Sequence, residues 1–232
     1  MGNLQRYFGN GLQGLLDLFI FLFCMFLSLS VHELCHGYTA YKLGDHTAKA
    51  HGRLTLNPFH HLDLFGTLMM IFYGFGWAKP VPVNTANFTR KISQKTGMAL
   101  TAIAGPISNF ILSFVAFSLI ALILKFPITP ILALCLAILG RLCVLNVSLG
   151  LFNLIPFPPL DGSRILMALL PNRIYWKVAQ LERYSFILLI LLINIPAVLG
   201  GLSTIVIWLL TMYANIFGIP ANLLLNLLFS MM

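Results

Sequence analysis

His32, Glu33 and His36 form an H-E-x-x-H pattern at the end of an unbroken apolar run from Leu15 to Val31. On an α-helix, residues four apart share a face. Two imidazoles so placed can reach one metal ion at about 2.0–2.1 Å. Glu33 stands beside them and could take a proton from a water on that ion. The plainer reading is a chance pair of histidines and a glutamate satisfied by neighbours. Ionisable groups inside a membrane helix are costly and by default functional, which favours the metal reading. A catalytic zinc site keeps three protein ligands and one open position, so a third ligand must come from elsewhere.

Asp161 is the candidate. It follows the break Pro156-Phe157-Pro158-Pro159 at the end of a long apolar segment. Irregular backbone at membrane depth survives only where protein or a water-filled cavity surrounds it. Local features leave two readings open: a third metal ligand, or an N-cap for a short helix at 163–170. Asn146 and Asn153 lie two turns apart on one helix face. Asn153 could donate to a developing oxyanion or hydrogen-bond between helices; for Asn146 the interhelical bond is preferred. Asn109, after Gly105-Pro106, is read the same way, as a packing residue. His60-His61-Leu62-Asp63 is a minor candidate for a second metal site, with no third-ligand pattern after it. Cys35 points about 100° away from His36 on the helix and is not counted as a ligand.

The elements that must position these residues are set by composition. The 232 residues are 59% hydrophobic and 9% charged, with mean hydropathy +0.92. Soluble domains carry roughly 25% charged residues, so the bilayer is this chain's solvent. The expected fold class is an all-α polytopic membrane protein of about five to six membrane segments. A single domain over 1–232 is expected, with core helices at about 12–40, 97–124 and 131–155 and C-terminal helices within 184–218. The C-terminal pair, 184–199 and 202–218, is divided at Gly200-Gly201. The segment 221–232 is apolar but too short to cross. The first apolar run leads straight into His32 with no small-residue cleavage site, so it is read as retained. The length leaves no room for an added regulatory module of about 100 residues.

An insertion at 45–95 separates the first two core helices. Alternation around Leu54 and Leu56 predicts a short strand, and 79–84 is expected to be extended because residues before proline avoid the α region. Either stretch could capture an unwound peptide by β-addition. Lys42, Lys49, Arg53, Lys79, Arg90, Lys91 and Lys95 flank the short apolar stretch 62–77 on both sides. Short basic loops stay in the cytoplasm, so 62–77 is expected to be re-entrant or interfacial, with Gly66, Gly74 and Gly76 interrupting it. The same rule puts His32, His36 and Asp161 near the cytoplasmic side of the cell membrane.

The net charge of +8 is confined to loops and is read as topology signalling; no nucleic-acid pattern accompanies it. The four cysteines, Cys24, Cys35, Cys135 and Cys143, lie in apolar runs and read as small packing residues. Arg141 inside a span either snorkels toward Lys125 or pairs internally with Asp17.

Two well-separated motifs resemble the site-2 protease family of intramembrane zinc metalloproteases. They are His32-Glu33-Leu34-Cys35-His36 and Asn153-Leu154-Ile155-Pro156-Phe157-Pro158-Pro159-Leu160-Asp161-Gly162, with Gly105-Pro106 in a helix between them. Gly52-Arg53-Leu54-Thr55-Leu56-Asn57-Pro58 and Gly76-Trp77-Ala78-Lys79-Pro80-Val81-Pro82-Val83-Asn84 resemble the compact prokaryotic members without a PDZ or CBS domain. The resemblance implies a three-helix catalytic core and one Zn2+ per chain. It implies His32, His36 and Asp161 as ligands, Glu33 as catalytic glutamate, and Asn153 as an assistant near the scissile carbonyl. The implied substrate is a transmembrane segment of another protein, cut within the lipid bilayer. A non-catalytic membrane zinc-binding protein is the alternative, and Glu33 discriminates between them, since a binder needs only the ligands.

Overall fold

The computed structural model describes residues 3–73, 76–89 and 91–220. Arg90, Gly74 and the 221–232 segment lie outside the described residues. The described chain is helical, with no β-strand. Four helices are long and apolar enough to cross a bilayer: α2, Gly11–Lys42; α5, Gln94–Ile123; α6, Pro130–Asn153; and α10, Pro196–Phe217. Shorter helices are α1, Asn3–Phe8; α3, Thr47–Ala50; α4, Leu64–Tyr73; α7, Asp161–Leu169; α8, Asn172–Leu181; and α9, Ser185–Ile193. The expected all-α membrane class holds. Among the described residues four helices are long enough to cross, and the short apolar helices α4 and α9 bring the membrane segments to the expected five to six.

The core helices start at clear signals. The Ser93 hydroxyl accepts from the Thr96 N–H at 3.1 Å and opens α5. Thr129 accepts from the Leu132 N–H at 3.3 Å and opens α6, with Pro130 at its first position, where the missing N–H is not needed. The division between the last two helices falls at Ile195-Pro196, not at Gly200-Gly201. Proline forces its predecessor out of the α region, and Ile195 is extended, at φ −86° and ψ 109°. The two glycines cost α10 only about 1 kcal/mol each against alanine. That leaves α9 with 9 residues, about 14 Å, which is too short to cross.

The helices pack around Cys24, Phe117, Ile120, Leu136, Cys143, Val147 and Leu210, each nearly or fully buried. Both buried cysteines therefore act as packing residues, and all four thiols are free. Gly150 lets α6 approach α5 closely, since a Cβ there would lie 3.0 Å from the Phe110 ring. Asn146 joins α6 to α2 as expected, donating to the Ser28 hydroxyl at 2.7 Å. Arg141 does not snorkel: it is buried and donates to the Asp17 main-chain carbonyl at 3.1 Å. Large apolar side chains on the outer faces, such as Leu12, Phe19, Ile111 and Trp208, remain exposed, as lipid-facing surfaces require.

The insertion corrects one expectation and bears out another. Neither Leu54–Leu56 nor Val81–Val83 is a strand. A strand needs a ladder partner, and the groups here bond otherwise: Arg53 donates to the Pro80 carbonyl at 3.2 Å, and the Val81 N–H goes to Glu33 at 2.8 Å. The non-crossing of 62–77 is visible in the backbone. The Lys79 N–H donates to the His61 carbonyl at 2.8 Å, so the chain returns to the point it left. Between them α4 has 10 residues, about 15 Å, half of a hydrocarbon core of about 30 Å. Glycine is required at the closure: a Cβ on Gly66 would sit 2.1 Å from the Trp77 carbonyl oxygen, and one on Gly76 2.0 Å from that of Gly66.

Candidate metal centre

The α2 helix carries His32 and His36 on one face, as their spacing demands. Their Nε2 atoms lie 2.9 Å apart. Asp161, the first residue of α7, brings its Oδ2 to 3.1 Å from His32 Nε2 and 3.2 Å from His36 Nε2. All three side chains are buried. They form the one group of three His, Cys, Asp or Glu residues able to hold a metal among the described residues.

The N-cap reading of Asp161 falls away. The short helix runs from Asp161 to Leu169, its N-cap is Leu160, and no side chain caps it. The carboxylate instead stands at a helix N-terminus, where negative charge is favoured. Gly162 permits the preceding turn, because a Cβ there would come within 2.3 Å of the Leu154 carbonyl oxygen.

The surroundings fix how the imidazoles face. His32 Nδ1 meets Asn109 Oδ1 at 3.0 Å. His36 Nδ1 meets the Thr101 carbonyl at 2.7 Å. Both partners are acceptors, so each Nδ1 carries the proton and each Nε2 of a neutral ring presents a lone pair. Two lone pairs and a carboxylate oxygen then converge within hydrogen-bond distance, and Asp161 Oδ2 is buried without a hydrogen-bond donor. Such a set repels itself unless a cation lies between. A tetrahedral ion with bonds of about 2.0–2.1 Å would separate its ligands by roughly 3.3 Å. The observed separations are close to that, and two nitrogens with one carboxylate are a zinc donor set.

Helix α5 closes the other side. A Cβ on Gly105 would lie 2.4 Å from His36 Nε2 and 2.6 Å from His32 Cε1. Glycine is therefore the residue that lets α5 approach the imidazoles. Pro106 lacks the N–H that would meet the Ala102 carbonyl, so the helical ladder is already interrupted one residue from Thr101.

Glu33 is half-buried beside His32 and binds the Val81 N–H through Oε2. Asn153 closes α6, but its side-chain amide donates back to the Leu149 carbonyl at 3.1 Å, within its own helix. His61 and Asp63 form no second metal centre: His61 Nε2 meets the Thr55 carbonyl at 2.9 Å, and Asp63 Oδ1 accepts from the Gly66 N–H at 2.8 Å. Asn109 was expected only to pack; it orients a candidate ligand. An amide in an apolar helix, one residue past Gly-Pro-Ile-Ser, was the available signal. Nothing in the sequence pointed to the Thr101 carbonyl or the Val81 N–H.

A bundle of bilayer-length helices with a buried, metal-shaped His-His-Asp cluster defines a membrane protein with a candidate metal centre. The family model for peptidase family M50 matches residues 131–193. The chain is 43% identical to "Putative zinc metalloprotease YwhC" of Bacillus subtilis, over 79% of this chain and 82% of that protein. It is 30% identical to "Putative zinc metalloprotease Rip2" of Mycobacterium tuberculosis, over 79% of this chain and 70% of that protein. "Zinc metalloprotease MJ0392" of Methanocaldococcus jannaschii is 30% identical over 64% of this chain and 34% of that protein. No solved structure matches. The chain belongs to peptidase family M50, the site-2 proteases that its motifs resemble.

Proposed function

We propose that this zinc metalloprotease hydrolyses peptide bonds within transmembrane segments of other membrane proteins, in regulated intramembrane proteolysis, with residues 1–232 acting as one catalytic domain. The observation that carries the reading is the convergence of His32 Nε2, His36 Nε2 and Asp161 Oδ2 beside Glu33 in a bilayer-length helix. His32, His36 and Asp161 hold the zinc ion. When bound, zinc supplies a Lewis acid that polarises a carbonyl and acidifies a water.

Glu33 accepts the proton of the attacking water and returns it to the leaving amine. Its Oε2 is held by the Val81 N–H at 2.8 Å, which fixes the carboxylate while the other oxygen handles the proton. Asn153 exchanges its bond to the Leu149 carbonyl for one to the oxyanion of the tetrahedral intermediate. A helical substrate hides its carbonyls in its own ladder and must unwind locally before attack. The basic loops at 42–53 and 79–95 support a site near the cytoplasmic face of the cell membrane.

The test is co-expression with single-span membrane proteins, comparing wild type with Glu33→Gln. The wild type is expected to release a fragment cut within the span. Glu33→Gln is expected to slow release at least about 100-fold while the purified variant keeps one zinc per chain. Equal cleavage by both would remove Glu33 from the chemistry.

A further inference from the structure

A second site lies in the insertion. A cavity of about 470 Å³ is lined by His51, Arg53, Phe59, His60, Lys79 and Pro80, among others, and no lining residue carries a carboxylate. Arg53 is only 8% exposed, and its donation to the Pro80 carbonyl at 3.2 Å fixes a permanent positive charge in the wall. Lys79 adds a second, and two imidazoles face the same space. Like charges gathered in a recess make it a focus of positive potential that favours an anion.

The rim says which anion. Phe59 is 79% exposed. The residues that flank this lining along the chain are apolar and open: Leu56, Leu64 and Phe65 at 55%, 71% and 72% exposure. Basic groups next to exposed aromatic and aliphatic side chains suit the boundary where a bilayer passes from phosphate to acyl chain. A free anion would use the charges and leave the rim idle. An acidic peptide would do the same.

We propose that this pocket binds the phosphate of an anionic phospholipid, with Arg53, Lys79 and the two imidazoles on the headgroup and Phe59 and Leu56 against its apolar part. The claim is about binding and stands apart from the protease reading.

The full-length protein in detergent, incubated with phosphatidylglycerol or phosphatidylcholine, is examined by native mass spectrometry. One phosphatidylglycerol per chain is expected to survive activation that strips phosphatidylcholine. The double variant His60→Gln/Lys79→Gln, at two exposed positions, is expected to lower that retention about tenfold. Excess inorganic phosphate or a glutamate-rich peptide should leave the lipid in place. Independently of any variant, a photoactivatable phosphatidylglycerol should cross-link within 51–60 or 79–82 of the wild type. Equal retention of the two lipids, or of phosphatidylglycerol by variant and wild type, overturns the proposal. So does displacement by phosphate or peptide, or cross-linking confined to other segments.

Discussion

At the scale of single residues, the site depends as much on what holds the imidazoles as on the imidazoles themselves. Asn109 Oδ1 and the Thr101 carbonyl each take an Nδ1–H, which keeps both Nε2 lone pairs aimed at the same point. Partners of this kind typically change metal affinity 10- to 100-fold. Asn109→Ala is therefore expected to weaken zinc binding by about that factor, measured by competition with a chelator, with helix content unchanged. Gly105→Ala should act more severely, because its methyl would lie 2.4 Å from His36 Nε2. We expect that variant to be purified folded and without stoichiometric zinc; full occupancy would show that α5 can retreat at no cost. His32, Glu33 and His36 were legible from residue type and spacing; for Asp161 the proline break left a ligand and an N-cap both open, and the family resemblance implied the ligand. Asn109 was not legible, since a buried amide reads alike whether it bonds a helix or a ligand.

At the scale of elements, the two ends of the insertion are tied to each other by one buried carboxylate just past α2. Asp45 accepts from the Asn84 N–H at 2.7 Å, the Asn87 side-chain amide at 2.9 Å and the Thr47 N–H at 3.0 Å. Burial raises its pKa, but hydrogen bonds from Thr47, Asn87 and Asn84 outweigh that and hold it below the usual carboxylate range. A carboxyl with a lowered folded pKa adds stability that is complete above its unfolded value, about 3.9. That stability is lost as pH falls from there through the folded value. Asp45→Asn is expected to be about 1–3 kcal/mol less stable than wild type at neutral pH. The gap should narrow below about pH 4, as read from thermal melts across pH. A constant gap would mean that Asp45 contributes by shape alone. The strand expected at Leu54–Leu56 failed at this scale: alternation marks which residues face apart, but not whether a ladder partner exists.

At the scale of the whole molecule, the hydrogen bond between Lys79 N–H and the His61 carbonyl decides the topology. It returns the chain to the side it left, so the C-terminal end of α2 and the start of α5 share a face. That shared face is what lets Asp161, arriving after α6, meet His32 and His36. Single cysteines placed at Lys49 and at Lys79, before and after α4, should react with impermeant thiol reagents from the same side of the membrane, and one at Lys125, beyond α5, from the other. Reaction of the first two from opposite sides would require α4 to cross and would separate the ligands.

The sequence alone determined the membrane class, the three core helices to within a few residues, and the His32–His36 pair with Glu33 beside it. Those rest on apolar length and on residue types too costly to bury in a bilayer without purpose, which are local properties. Only the tertiary structure decided that Asp161 faces the imidazoles instead of capping its own helix, and that Arg141 binds the Asp17 carbonyl. It alone showed that Asn109 and Gly105 of α5 shape the site and that Glu33 is held by Val81. Each of these is a contact between segments distant along the chain, and such contacts are set by which helix faces meet, a matter of packing rather than of local pattern.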